Sequence, residues 1–298
     1  MKYSIFHLQG GIGKHVAATA VAKAIKNNHP DRKLIIVCAY PDIFLNLPYV
    51  DRVFVIGATQ YFYQEFVQGK DSILFHHEPY YTTNHIHKRK PLIENWCEMY
   101  GLKYSGETPD VKFNKLQYDL SKKFWRRKKP IMLMHTNGGL MATDAKPYSW
   151  TRDMPEELAQ ELVDHYKKDY HIYQITKINS PKLKDVEHVF ATPEQSLSLM
   201  EFFSILLHSQ KRILIDSCLQ HTAAAMKRKS TVIWNGTSPK VFGYEMHDNI
   251  VTDVPYDFKL PGSYLFDFDF NGNELEYPYE EGTQLYDINK IIESVDKQ

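Results

Sequence analysis

Apolar and polar positions along the chain fall into two alternating periods. Short apolar runs give way, again and again, to longer stretches whose apolar residues recur at helical spacing. KYSIFHL is an apolar run ending in the glycine-rich turn QGGIGK, and HVAATAVAKAIKNN follows with helical spacing. KLIIVCAY is nearly continuously apolar, which predicts a strand buried on both faces, as in a parallel sheet. RVFVIG and DSILFHH predict further strands, and PLIENWCEMYGL predicts a helix with Gly101 near its C-cap. NKLQYDLSKKFWRRKK predicts a polar helix that closes the first unit.

A second series starts at KPIMLMHTN, a strand. PEELAQELVDHYKKDY is a helix with Pro155 in its first turn and lysines near its end, as the helix dipole favours. Then come a strand (HIYQIT), a helix (SLSLMEFFSILLHSQ), a strand (RILIDS), a helix (LQHTAAAMKRK) and a strand (STVIWNG). This alternation predicts an α/β protein with two doubly wound parallel sheets. The chain has 298 residues, two domains at about 150 residues each. The boundary is expected near residue 125, giving units 1–125 and 126–298. After residue 253 the pattern changes to an alternation around Asn271-Gly272, which predicts a C-terminal hairpin extension.

Composition narrows the function classes. Hydrophobic residues make up 43%, enough for a substantial core. Basic and acidic residues are 36 each, so no overall field draws the protein to nucleic acid or membrane. The clusters HKRK, KKFWRRKK and KRK read first as solvated faces. Three widely spaced cysteines, an odd number, predict free thiols in a reducing cytoplasm. No signal-peptide pattern opens the sequence, and no run reaches the roughly 18 apolar residues of a membrane span.

The most informative stretch is RILIDSCLQHTAAAMKRKSTVIWNGTSP. A buried strand ends at Asp216-Ser217 and a helix starts at once. The backbone N–H groups of Ser217, Cys218 and Leu219 are then unpaired at the positive end of a helix dipole. That is an anion site at the carboxyl end of a strand. Ala223, Ala224 and Ala225 let the helix lie close to the sheet, and His221 can turn toward a ligand. The plainer alternative is that Asp216 or Ser217 only caps the helix.

The same stretch resembles the heptosyltransferases of glycosyltransferase family 9, with their D-[ST]-G-x-x-H-x-A-A-A signature and following G-x-T-x-P-like turn. Asp216, Ser217, His221, Ala223, Ala224, Ala225, Thr237 and Pro239 match in order, with Cys218 at the glycine. The resemblance implies that this loop binds the donor's diphosphate through backbone amides and that the aspartate contacts the sugar. It also implies that Arg152, ahead of Asp153-Met154-Pro155, stands where the family carries Lys-x-Trp-Pro. A guanidinium there would clamp phosphate. Thr136 and Asn137 end the preceding strand and are expected to line the same cleft.

QGGIGKHVAATA also resembles the deviant Walker A loop of ParA/MinD-like ATPases. Gly10, Gly11, Gly13 and Lys14 fit, but Gln9 replaces the signature lysine and His15 replaces the Ser/Thr that would ligate Mg²⁺. The glycosyltransferase resemblance accounts for the loop too, and extends to a PD turn and to Leu47-Pro48-Tyr49-Val50-Asp51-Arg52-Val53. It makes Gly11 and Gly13 an acceptor-side loop. The family's Gly-Asp, whose aspartate is the proposed general base, is here Gly13-Lys14. Lys14 and His15 are therefore the candidate catalytic residues, Lys14 holding an acceptor anion and His15 accepting a proton. Glu78 and Asp144 are other candidates for the base.

His76, His77, Glu78, His85 and His87 crowd one segment, but adjacent strand residues point to opposite faces, so an acceptor-binding loop with Tyr80 and Tyr81 is favoured over a metal site. Asp267 and Asp269 mimic a metal-binding DxD and read better as a hairpin face. The resemblance implies the GT-B arrangement, two Rossmann-like domains facing a cleft. It implies sugar transfer from a nucleoside-diphosphate sugar to a hydroxyl acceptor, a bacterial surface glycan or related saccharide, with no metal or other cofactor. Three alternatives stay open: transfer to a modified base in DNA, a non-catalytic nucleotide-sugar binding protein, and a deviant P-loop ATPase.

Overall fold

The fold is that of a computed structural model, which describes residues 1–138, 149–190, 197–252, 279–280 and 282–298. The first unit runs β1 (Lys2–Leu8), α1 (Ile12–Asn28), β2 (Lys33–Cys38), β3 (Arg52–Val55), α2 (Phe62–Phe66), β4 (Asp71–Phe75), α3 (Thr83–Ile86) and α4 (Leu92–Met99). Its strands form a parallel sheet in the order β3-β2-β1-β4. Both faces of β1 and β2 are covered, as their unbroken apolar runs require. Trp96 and Cys97 of α4 are fully buried.

After α5 (Lys115–Phe124), the helix expected to close the first unit, the chain continues with β5 (Ile131–His135), α6 (Glu156–Tyr166), β6 (His171–Ile175), β7 (Glu187–Val189) and α7 (Leu199–His208). It ends with β8 (Ser209–Ile215), α8 (Cys218–Ala225), β9 (Thr231–Trp234), α9 (Pro239–Phe242), β10 (Asp248–Val251) and α10 (Ile288–Asp296). This sheet is also parallel, in the order β10-β9-β8-β5-β6-β7. The helix α5 starts with a capping box between Asn114 and Gln117. It packs on α7 of the second unit: the Trp125 indole N–H donates to Ser204 Oγ at 2.7 Å, and Ser121 Oγ lies 2.9 Å from His208 Nε2. The hairpin expected around Asn271-Gly272 and the pair Asp267 and Asp269 lie outside the described residues.

Each sheet has one point where the strand order reverses. In the first, the chain runs from β1 outward through β2 and β3, then crosses to β4 on the other side of β1. In the second, it runs from β5 through β6 and β7, then crosses to β8 on the other side of β5. Open α/β sheets bind ligands outside the carboxyl ends of the strands at such points, because the connecting loops diverge there and leave a crevice. The gaps after β1/β4 and after β5/β8 are therefore where each sheet can receive a ligand. The two units meet through α1 and α8. Alanines on both helices allow close contact, and Gly13 carries it to the limit: a Cβ there would lie 3.1 Å from His221 Cδ2 and 3.3 Å from Cys218 Cα.

Five histidines are buried in this framework: His15, His85, His135, His221 and His247. Burial disfavours the imidazolium and pushes His15, His85, His135 and His247 down to about 4, and His221 down to about 3. Below pH 6.5 the unfolded chain takes up these protons before the folded one does. The stability they contribute is complete above that pH and is lost as pH falls toward 4, at roughly 1 kcal/mol or more per pH unit. Burial raises the carboxyls of Asp153 and Asp216, which offsets part of the loss. The thermal midpoint is expected to fall steadily from pH 6.5 to 5. A flat profile over that range would show that these rings are solvated.

Candidate functional site

The residues after β5 and β8 are held by a buried polar network centred on Asp153, whose side chain is fully buried. Asp153 Oδ1 accepts the Gly138 N–H at 2.8 Å, and Oδ2 accepts the Ser149 N–H at 2.9 Å and the Asn137 amide at 3.2 Å. Lys177 Nζ lies 4.0 Å away. Asp153 thus ties together the two residues that flank 139–148. The segment is fixed again by the Met154 N–H on Thr136 O, the Asn235 amide on Asp153 O and the Gly236 N–H on Thr151 O. Arg152, on this segment, is delivered to the carboxyl ends of β5, β8 and β9.

Opposite it, Asp216 ends β8 and is buried. Burial raises its carboxyl, while the Arg152 guanidinium and the side chains of Thr237 and Gln220 lower it. A carboxyl held toward its neutral form repels an incoming phosphate less than a free carboxylate would. Ser217 is the N-cap of α8, with extended backbone (φ −156°, ψ −176°), and its side chain makes no capping bond. The capping role that the sequence left open is therefore not what Ser217 does. The first amides of α8 keep the partial positive charge of a helix start. His221 faces the first unit, with its Nδ1 2.8 Å from the Tyr244 hydroxyl. Burial pushes the Cys218 thiol up to about 11, so it stays un-ionised at neutral pH.

The glycine-rich turn of the first unit completes the wall. Gly10 has φ +90°, which a residue with a Cβ adopts only under strain. Lys14 folds back over Gly10 and pairs with Glu78 Oε1 at 2.5 Å. Its ammonium also sits 5.4 Å from the centre of the Tyr80 ring. Burial raises the Tyr80 hydroxyl; Glu78 and Asp216 raise it further and Arg152 lowers it. The charges of both units thus converge on one tyrosine.

Several expectations are corrected by this geometry. His15 has no nitrogen open to a substrate proton: Nδ1 is 2.9 Å from Gly11 O, and Nε2 accepts the Ala39 N–H at 3.3 Å. It locks α1 to the end of β2. The same orientation removes His15 from the Mg²⁺-ligand position that an ATPase reading needs. Thr136 and Asn137 do not face a ligand with their side chains. Thr136 Oγ donates to Asn137 Oδ1 at 2.8 Å and accepts from Gln174 Nε2, while Asn137 Oδ1 also accepts from Thr176 Oγ at 2.9 Å. They support the Asp153 network from behind. Gly11 is exposed, with nothing within 4 Å of a Cβ placed there. Of the other expected site residues, Arg152 and Thr237 act on Asp216, Gly13 lies against Cys218 and His221, and Lys14 reaches Glu78 and Tyr80. Asp144 lies outside the described residues. Glu78 was named only in passing by the sequence, and Tyr244 carried no signal in it.

No family model matches the chain, and no curated protein does. The fold does match solved structures. A glycosyl transferase family 9 protein from Veillonella parvula DSM 2008 is 8% identical, with TM-score 0.67 over 99% of this chain and 96% of that one. The E. coli ADP-heptose LPS heptosyltransferase II is 10% identical, with TM-score 0.59 over 84% of this chain and 90% of that one. The dodecameric iron-containing heptosyltransferase TibC, in complex with ADP-D-beta-D-heptose, is 14% identical, with TM-score 0.62 over 99% of this chain and 74% of that one. At these identities the likeness establishes the fold, the two-domain GT-B arrangement. Among the described residues no three His, Cys, Asp or Glu side chains are grouped to hold a metal. No described helix is long and apolar enough to cross a membrane.

Proposed function

We propose that this chain is a glycosyltransferase that moves a sugar from a nucleoside-diphosphate sugar to a hydroxyl acceptor. The observation that carries the reading is the convergence of Arg152 on Asp216 and the uncapped start of α8, at the strand-order reversal between β5 and β8. As the glycosidic bond breaks, negative charge grows on the leaving diphosphate. A guanidinium and helix-terminal amides, already oriented, stabilise that charge without reorganising. Residues of the chain thus supply the countercharge that a divalent cation supplies elsewhere, and the transfer is proposed to need none. The solved structures of like fold are named as glycosyl or heptosyl transferases, one of them in complex with ADP-D-beta-D-heptose. Their chemistry supports a nucleotide-sugar donor here, with the acceptor on the side of the first unit. The buried free thiols of Cys38, Cys97 and Cys218 agree with a reducing, cytoplasmic setting.

A melting-temperature screen against ADP-, UDP-, GDP- and CMP-sugars tests the reading. One donor at about a hundred times its dissociation constant should add about 2.7 kcal/mol of stability, a shift of several degrees. The shift should persist in EDTA. No shift with any member of the set would refute the proposal.

A further inference from the structure

The proposed reaction needs a group to take the acceptor's proton. His15, the candidate base from the glycine-rich turn, is sealed in the core, and Lys14, expected to hold an acceptor anion, is engaged by Glu78. Glu78 reaches the same place from a different strand. It lies three residues past the end of β4, which pairs with β1 in parallel register up to Phe6 and Phe75. His7 and His76 are the next residues on the two strands, and their Nδ1 atoms are 2.9 Å apart. At that spacing one ring donates and the other accepts, so the pair cannot be doubly charged without repulsion.

This is the strand-order reversal of the first sheet, and a cavity of about 470 Å³ opens there. His7, Gln9, His76, His77, Glu78 and Thr82 line it, with the ring of Tyr81 at its border, 72% exposed. Among the described residues its lining contains no lysine or arginine, and Glu78 is its one carboxylate. Imidazole, amide and hydroxyl groups exchange hydrogen bonds with sugar hydroxyls, and an exposed aromatic face packs on a sugar ring. A carboxylated or phosphorylated sugar would find no lysine or arginine among those residues to balance it, and the Lys14 ammonium nearby is already paired with Glu78. Glu78 lines this cavity and also pairs with Lys14, whose ammonium faces the Tyr80 ring. Its charge bears on His7 within the cavity and on Tyr80, where the charges of Arg152 and Asp216 also act.

We propose that the cavity after β1 and β4 receives a neutral saccharide acceptor and that Glu78, oriented by Lys14, takes the proton from its hydroxyl. The inference rests on the glycosyltransferase reading above. In the step, the acceptor O–H bond breaks and its proton passes to the free carboxylate oxygen of Glu78. The acceptor oxygen bonds to the anomeric carbon. The bond from that carbon to the diphosphate breaks, and its electron pair leaves on the phosphate oxygen beside Arg152. Lys14 holds Oε1, so Oε2 is the oxygen presented to the acceptor.

The test uses the full chain, the donor found by the melting screen, and two acceptor panels: neutral methyl glycosides and oligosaccharides, and carboxylated or phosphorylated sugars. Release of nucleoside diphosphate is read. Neutral members should stimulate release, and release with the acidic panel alone, or with no neutral member, overturns the acceptor assignment. With a neutral acceptor in hand, Glu78→Gln should lower kcat about 10²–10³-fold while donor affinity by calorimetry is unchanged. Glu78→Ala should be equally slow and should regain activity with added formate, which a purely structural loss would not. A fall of less than about tenfold in Glu78→Gln overturns the role of Glu78. So does an equal loss of donor affinity, or an absence of formate rescue. Donor binding by the unaltered protein is read separately, so failure of the donor reading and failure of Glu78 give different results.

Discussion

Arg152→Ala is expected to weaken donor binding about a hundredfold and to lower kcat/KM by about 10³–10⁴-fold, because truncating one member of a desolvated charge pair costs about 2–5 kcal/mol. Two effects add. The guanidinium is the cation closest in influence to Asp216, so its loss leaves a buried carboxyl without its charge partner and the α8 amides without help against two phosphates. The same charge is needed more in the transition state, when the leaving diphosphate gains charge, than in the ground state. Arg152→Lys should recover affinity only in part, since an ammonium cannot engage two phosphate oxygens in one plane. Calorimetry with the preferred donor decides the matter: an affinity equal to that of the unaltered protein would place the diphosphate elsewhere. Added salt should also weaken binding to the unaltered protein more than binding to Arg152→Ala, since a charge contact is screened.

What the sequence made legible follows from how local each signal is. RILI followed at once by a helix with three alanines announces a buried strand, a tight turn and a helix close to the sheet, and β8 and α8 are there. Lys115–Phe124 was legible as a helix from its polar pattern, but its partner was not. Only the Trp125–Ser204 and Ser121–His208 contacts tell that it lies on α7. The short strands β7 and β10 carry too few apolar residues for a period to stand out. The helix α10 does carry one, with Ile288, Ile291, Ile292 and Val295 at i, i+3, i+4 and i+7, but it stands apart from the alternating series. Yet Ile291 and Val295 of α10 are fully buried.

The site divides along the same line. Asp216, Ser217 and Arg152 sit at element ends, where chain direction alone says which way the backbone points. His15 sits within a helix, and nothing in its neighbours tells whether it turns to the cleft or toward Ala39. Glu78 could be named but not ranked, because its approach to Lys14, 64 residues away in sequence, depends on β4 crossing to lie beside β1. Parallel pairing across a crossover leaves no trace in local spacing. The polar residues Thr136 and Asn137 misled for a related reason. A hydroxyl and an amide at a strand end look the same in sequence whether they meet a ligand or a buried carboxylate.

That buried carboxylate is where the largest loss of stability is expected. The Asp153 carboxylate accepts from two backbone N–H groups and the Asn137 amide, and the Lys177 ammonium lies 4.0 Å away. Burial alone would favour the neutral acid, and these donors are what oppose it. Asp153→Ala leaves all of them in a space closed to water, which costs about 3–5 kcal/mol, and the thermal midpoint should fall by about 6–10 °C. Asp153→Asn should not restore it. The amide oxygen can keep one donor, but the new NH₂ then faces another, and two donors repel where one donor and one acceptor bonded. Recovery of stability in Asp153→Asn would mean that the network needs the shape of the side chain and not its two acceptors. Because Asp153 is the residue after Arg152 and joins Gly138 to Ser149, donor affinity should fall in both variants at temperatures where they remain folded. A protein of lowered midpoint but unchanged affinity would show that Arg152 is held in place by Thr151, Met154 and their backbone bonds alone.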